Sequence, residues 1–321
     1  MSRYSRQELL PEVGGQGQER LANTHMLVIG AGGLAASCLP LLAGAGVGTL
    51  SIVDGDTVEG SNLHRQTLFR ETDIGSSKAD CAAQYCQALN SEIIVASYST
   101  NVAPSNVTEL IADADIILDC ADSYAASYLL NDHCLATGKP LISASALAFS
   151  GYVGGFCGHA PSLRAVFPNA PQNAQNCATA GVIGPLVSVL GAQQAQMAIN
   201  HVLEIDPSPL GMISHYDAKT LQTRSFRFDS ATEPETIFSF ISPSDVKDDD
   251  LVLELRNETE APSPIHANAK RVKPDDIGHL VLPKTGRIAI GCATGLRAWR
   301  AAEKLQPKWQ GEISLLAASI T

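Results

Sequence analysis

The sequence predicts an α/β protein: a Rossmann-like, doubly wound and mostly parallel sheet, followed by a small α/β C-terminal unit. Three observations predict it. Short apolar runs alternate with helical patterns over the first half of the chain, the rhythm of parallel strands joined by right-handed crossovers. The first run passes into Gly30-Ala31-Gly32-Gly33, a strand, a glycine turn and a helix start. Between Met26 and Val53 no residue is charged, as expected of strands buried on both faces.

In chain order, residues 1–25 are polar with a short helical pattern. Strands are expected at 26–30 and 49–53. The stretch SSKADCAAQYCQALN predicts a helix over 76–90. A strand follows at 92–98, a helix at 104–112, the strand DIILD at 115–119, a helix at 124–137 and a strand at 140–145. From Gly151 to Pro185 the pattern breaks into a stretch rich in Pro, Asn, Gln and Gly. It reads as a long loop, and long loops in compact domains are often functional. A helix at 185–203 and two strands at 212–216 and 223–228 complete the first domain, residues 1–235. Residues 236–248 read as a linker. LVLELRN then opens a second domain, residues 249–321.

The 321 residues allow one large domain and one small one. The 45% hydrophobic content supplies a sizeable core, and the net charge of −11 argues against nucleic-acid or anionic-membrane partners. The uncharged run from Met26 to Val53 is long enough to span a bilayer, but its glycines and Pro40 divide it into strand, turn and helix. The eight cysteines form no CxxC pair. With no signal peptide at the N-terminus, a reducing cytoplasm is expected, and most cysteines read as small core residues.

Gly30, Gly32 and Gly33 let the backbone approach phosphates, and the helix N-terminus behind them supplies N–H donors and a favourable dipole. Asp54 ends the next strand, where a carboxylate suits a ribose hydroxyl. Asp56, two residues on, belongs to the same candidate site. Ala35 replaces the third glycine of the dinucleotide fingerprint, so the turn alone is weak evidence. An NAD-dependent oxidoreductase would need these features and nothing more. It would not need Asn62, Arg65 and Gln66, a polar cluster just past the second strand. A guanidinium near bound phosphates suggests that a phosphoanhydride is cleaved, not merely held. Each charged residue also has a plainer reading: Lys78 as a solvated helix-start charge, Arg65 as a loop salt bridge, Asp122 as a helix N-cap.

The ordered motifs RYSRQ, GAGGLA, GVGTLSIVDGDTVEGSNLHRQ, IGSSK, LDCADS and NCATAGVIGP resemble the ThiF/MoeB/HesA family over residues 3–228, and look closer to its ThiF branch. These are bacterial relatives of the ubiquitin-activating enzymes. The resemblance implies that the carboxylate of a small ubiquitin-like sulfur-carrier protein ending in Gly-Gly attacks the α-phosphate of ATP, giving an acyl-adenylate and pyrophosphate. Arg65 and Lys78 match the family's phosphate-contacting cations, Asn62 and Gln66 its polar supports, and Asp122 its Mg²⁺-binding aspartate. Arg6 matches an arginine that reaches the phosphates from the partner subunit of a homodimer. A cysteine desulfurase is a further implied partner, as sulfur source.

Three departures stand out. The positions matching the first pair of the family's zinc cysteines are Ser162 and Ala165, and no cysteine occurs from 178 to 291, so no zinc site is expected. Ser123 stands where Asn often follows the Mg²⁺ ligand. The tail from about 249 resembles a short, degenerate rhodanese domain carrying Cys292-Ala-Thr-Gly-Leu-Arg297. A cysteine between strand and helix would meet a cradle of backbone N–H groups. Cys292 and Cys177, which matches a cysteine that can join the carrier covalently, are the candidate sulfur-handling residues. The rival expectations are adenylation of a peptide C-terminus or a tRNA base, an NAD-dependent oxidoreductase, and a non-catalytic binding module.

Overall fold

The structure, a computed structural model, describes residues 3–170 and 181–321. Two short helices, α1 (Ser5–Glu8) and α2 (Gly14–Ala22), precede β1 (His25–Ile29). The chain continues through α3 (Gly33–Ala45), β2 (Thr49–Val53), α4 (Lys78–Leu89), β3 (Ile94–Tyr98), α5 (Val107–Ile111) and β4 (Ile116–Asp119). Then come α6 (Tyr124–Thr137), β5 (Pro140–Leu147), β6 (Ser150–Cys157), α7 (Leu163–Val166), α8 (Gly184–Val202), β7 (Met212–Asp217) and β8 (Gln222–Arg227).

These strands form one sheet in the order β3-β2-β1-β4-β5-β6-β7-β8. The first five are parallel and the last three antiparallel. The order reverses between β1 and β4, the switch point where doubly wound sheets open a crevice at their strand ends. One face is covered by α3 and α8, through Leu34, Leu39, Leu42, Leu186 and Leu190. On the other face, α6 contributes Tyr128, Leu129 and Leu130.

One expectation is corrected here. Residues 150–157 are a central strand, not the start of a long loop, and α7 follows within the same stretch. The three glycines of SGYVGGFC read as breakers, yet here they relieve crowding. A Cβ on Gly155 would lie 2.5 Å from Pro209 O, so a close approach demands glycine rather than a turn.

The second sheet is parallel, β10 (Lys270–Arg271), β9 (Leu251–Glu254), β11 (Ile288–Cys292), β12 (Ile313–Ala317), with α9 (Leu296–Leu305) crossing from β11 to β12. The stretch expected as a linker is packed against it. Phe238 and Phe240 are buried, Ile241 N donates to Leu315 O at 2.9 Å, and Leu315 N donates to Ser239 O at 2.9 Å.

The two sheets share one core, which runs from Tyr128 and Leu163 to Trp299 and Ile320. Arg164, only 3% exposed, fastens them. Its guanidinium donates to Asp132 at 2.6 and 2.8 Å and to Phe238 O at 3.2 Å. It lies 4.8 Å from the Tyr128 ring centre and 5.2 Å from that of Trp299, a desolvated cation–π contact with two rings that meet edge-to-face at 4.5 Å. Ala170 N donates to Glu303 of α9 at 3.0 Å. Nearby, Ser162 Oγ and N donate to Glu233 at 2.6 and 2.8 Å. This clasp joins the loop after β6, where the family resemblance puts the first pair of zinc cysteines, to the one after β8.

Candidate active site

The site grows from the ends of β1, β2 and β4. Gly30 follows β1 with φ +90°, and a Cβ there would lie 2.9 Å from the Cys120 carbonyl. Only glycine suits both the conformation and the approach. Gly32 is the N-cap of α3, so the first N–H groups of that helix open on the crevice. Asp54 Oδ2 accepts from Ala31 N at 2.7 Å and Oδ1 from Asp56 N at 2.8 Å. Burial pushes the Asp54 carboxyl up from its ordinary value, against these N–H bonds that favour its anion. The residue thus ties the β2 end to the glycine turn.

A cavity of about 840 Å³ lies above these strand ends, toward the large end of small-molecule sites. One half of it is polar. Arg65 donates to Asn62 Oδ1 at 2.9 Å, and its other amino group meets His64 Nε2 at 2.9 Å. Gln66 is 4% exposed, bonded at 3.4 Å to Asn62, and its Oε1 has no hydrogen-bond partner. A buried amide oxygen left unpaired costs about 1–3 kcal/mol and marks a place where a ligand donor or water belongs. Lys78 is the first residue of α4; its side chain is 8% exposed, and Nζ donates to Asp56 Oδ2 at 2.8 Å. It is a buried, directed cation, not the solvated charge of the plainer reading. Asp122 is exposed and lines the cavity between β4 and α6. The helix cap is Ser123, whose Oγ accepts from Ala126 N at 3.5 Å, so Asp122 is left available.

The other half is aromatic and was not foreseen. Tyr124, Tyr128, Tyr152 and Phe167 line it, Tyr152 and Phe167 stacked at 5.2 Å. Ser319 and Ile320, in the turn after β12, complete it. Asp119, beneath the Asp122 loop, was also missed as a distinct group. It accepts from Ser143 Oγ at 2.7 Å and Ala121 N at 3.2 Å. Burial pushes its carboxyl up to about 6, opposed by the Ser127 and Ser143 hydroxyls and the Ala121 N–H.

The cavity therefore gathers Gly30, Gly32, Gly33, Asp54, Asp56, Asn62, Arg65, Gln66, Lys78 and Asp122. Two further expected residues, Arg6 and Cys292, do not line it. Arg6 lies exposed on α1, away from this chain's cavity. Cys177 lies outside the described residues. Cys292 ends β11 and is 0% exposed. Of the expected N–H cradle, Ala298 N donates to Sγ at 3.4 Å. Arg256 and Arg297 both interact electrostatically with this sulfur, but each is ion-paired, to Glu254 and Glu260.

A strand-end crevice with a glycine turn, two directed cations and an available carboxylate defines a nucleotide-binding α/β protein built to handle phosphates. The chain belongs to the ThiF family, whose sequence profile matches residues 4–236. It is 44% identical over 209 residues to the adenylyltransferase and sulfurtransferase uba4 of Aspergillus clavatus, covering 61% of this chain and 42% of that protein. It is 40% identical over 237 residues to the adenylyltransferase and sulfurtransferase MOCS3 of Sus scrofa, covering 71% and 52%. The chain spans about half the length of the curated relatives it matches. Among solved structures, E. coli MccB with ATP superposes with a TM-score of 0.62 at 23% identity, covering 71% of each chain, which supports the fold. Among the described residues, no helix is long and apolar enough to cross a membrane.

Proposed function

We propose that this chain adenylates the C-terminal carboxylate of a small ubiquitin-like sulfur carrier ending in Gly-Gly, using ATP. The observation that carries the reading is that Arg65, Lys78 and Gln66 line one cavity with the glycines at the α3 N-terminus, and that its other side is aromatic. The family and the relatives' names support ATP use and acyl activation. Negative charge builds on the α-phosphate and the leaving pyrophosphate as the carrier carboxylate attacks, and fixed cations lower that barrier most when they are already aimed. Arg65 is held by Asn62 and Lys78 by Asp56, so neither needs to reorganise. Asp54 would take the ribose. The exposed Asp122 carboxylate fits a hard cation; Mg²⁺ held there would neutralise phosphate charge when bound. Arg6 would act in the site of a second copy, since Leu9 and Leu10, just after α1, are 71% and 54% exposed, which suits a subunit interface.

Sulfur would enter after adenylation, through Cys292 or Cys177 with a cysteine desulfurase as donor. The sulfurtransferase half of the relatives' names supports this step, and the burial of Cys292 means that its loop must open first. Carrier-dependent ATP–pyrophosphate exchange tests the first half-reaction. Exchange with a ThiS- or MoaD-type carrier is the expected result. Its absence would remove the reading, and thermal protection by NAD and not by ATP-Mg²⁺ would replace it with an oxidoreductase.

A further inference from the structure

We propose that the small C-terminal sheet is a fixed wall of the acyl-donor half of the active site, and that Ile320 sets how bulky a chain end the site accepts. The inference rests on the adenylation reading and extends it to residues outside the stretch that matches the family profile, 4–236.

Three observations carry it. First, Ser319 and Ile320 line the same cavity as the phosphate-directed cations, on its aromatic side. Second, the turn that presents them is anchored. The turn Ala318–Ile320 follows β12 directly, and Ser319 N donates to Ala293 O at 2.9 Å. Ile320 is 2% exposed, in the core that also holds Tyr128 and Leu163. Third, the unit that carries the turn is docked and not tethered. The cluster of Arg164, Tyr128 and Trp299 and the Ala170–Glu303 bond fasten it beside the cavity.

A rigid apolar wall selects by exclusion. On this reading an acyl donor brings its last carboxylate to the phosphate half along the side lined by Tyr152, Phe167 and Ile320. A glycine end passes with backbone alone, whereas each added side-chain carbon must displace packed atoms. Discrimination of this kind is worth roughly 10–200-fold per methylene. On this view the tail's contribution is made whether or not Cys292 carries sulfur.

The test is ATP–pyrophosphate exchange by the full chain, with carriers ending in Gly-Gly and in Gly-Val. For the wild type the Gly-Gly carrier should be strongly preferred. Ile320→Ala should raise kcat/KM for the Gly-Val end relative to Gly-Gly by at least tenfold, with KM for ATP unchanged. Ile320→Phe should raise KM for the Gly-Gly carrier, again with KM for ATP unchanged. Thermal protection by ATP-Mg²⁺ establishes that each variant is folded. If the wild type exchanges but both variants keep its preference and its carrier KM, the wall is not part of the site and the inference falls. If the wild type gives no exchange with either carrier, the adenylation reading falls and the inference with it.

Discussion

The molecule uses a strand–turn–helix twice, at β1–Gly30–α3 and at β11–Gly295–α9, with opposite results. Both turns place a glycine at positive φ, +90° and +82°, and both aim a helix N-terminus at a strand end. The first opens on a cavity of about 840 Å³ and leaves Gln66 Oε1 buried without a partner. The second closes on Cys292, which is 0% exposed, while the neighbouring cations Arg256 and Arg297 are already paired with carboxylates. The difference teaches that the motif alone does not make a site. What makes one is polar capacity left unspent inside an accessible space. The family resemblance marks both turns as functional; the structure assigns that capacity to one of them.

The largest effect expected comes from separating the two regions. Arg164→Ala removes a buried cation and strands Asp132, whose side chain is 17% exposed. Breaking a buried pair in this way costs about 3–5 kcal/mol. Denaturant titration followed by tryptophan fluorescence should show that loss, because Trp299 and Trp309 both lie in the shared core. An Arg164→Ala protein of wild-type stability would mean that the second sheet is not held as described. Next in size, Arg65→Ala should lower ATP–pyrophosphate exchange about 10²–10³-fold, the usual consequence of losing one preorganised donor. Its unfolding midpoint should stay near the wild type, since Arg65 is half-buried in a loop. A near-normal rate would erase the contrast between the open turn and the closed one.

The same contrast decides what was legible in the sequence. The nucleotide crevice depends on local signals, so it could be read. The glycine turn, the strand-end Asp54 and the helix 124–137 stand where the pattern put them. Strand β6 was hidden because Gly151, Gly154 and Gly155 mimic a loop, and the crowding that requires glycine at 155 comes from Pro209. The aromatic half was hidden for a stronger reason. Ile320 and Phe167 are 153 residues apart in sequence, and nothing near either one announces the other. The Arg164 cluster likewise joins three distant segments, and its arginine looks like any surface charge until Tyr128 and Trp299 pack against it.

Asp119 gives a prediction of intermediate size. Its carboxyl is raised from 3.8 to about 6, chiefly by burial. Between those values the folded chain keeps a proton that the unfolded chain has released, so stability falls as pH rises through the window. The full cost, on the order of 3 kcal/mol, is present above pH 6. Unfolding free energies measured from pH 4 to pH 7 should show this decline in the wild type and not in Asp119→Asn. A parallel decline in both proteins would place the titrating group elsewhere.

The smallest effect tests the closed turn directly. Arg297 and Glu260 form a surface-side ion pair, with side chains 37% and 33% exposed, and such pairs contribute at most about 1 kcal/mol. Glu260→Gln should therefore leave stability within about 1 kcal/mol of the wild type. The informative readout is iodoacetamide labelling of Cys292, followed by peptide mass spectrometry. If packing closes the site, labelling stays as slow as in the wild type, because Ile290, Phe240 and Leu296 occupy the same buried cluster as the sulfur. If the ion pair is the latch, labelling accelerates with no matching loss of stability. The first outcome keeps the two turns distinct, one a site and the other a packed joint. The second would make the C-terminal turn a site held shut by a single removable contact.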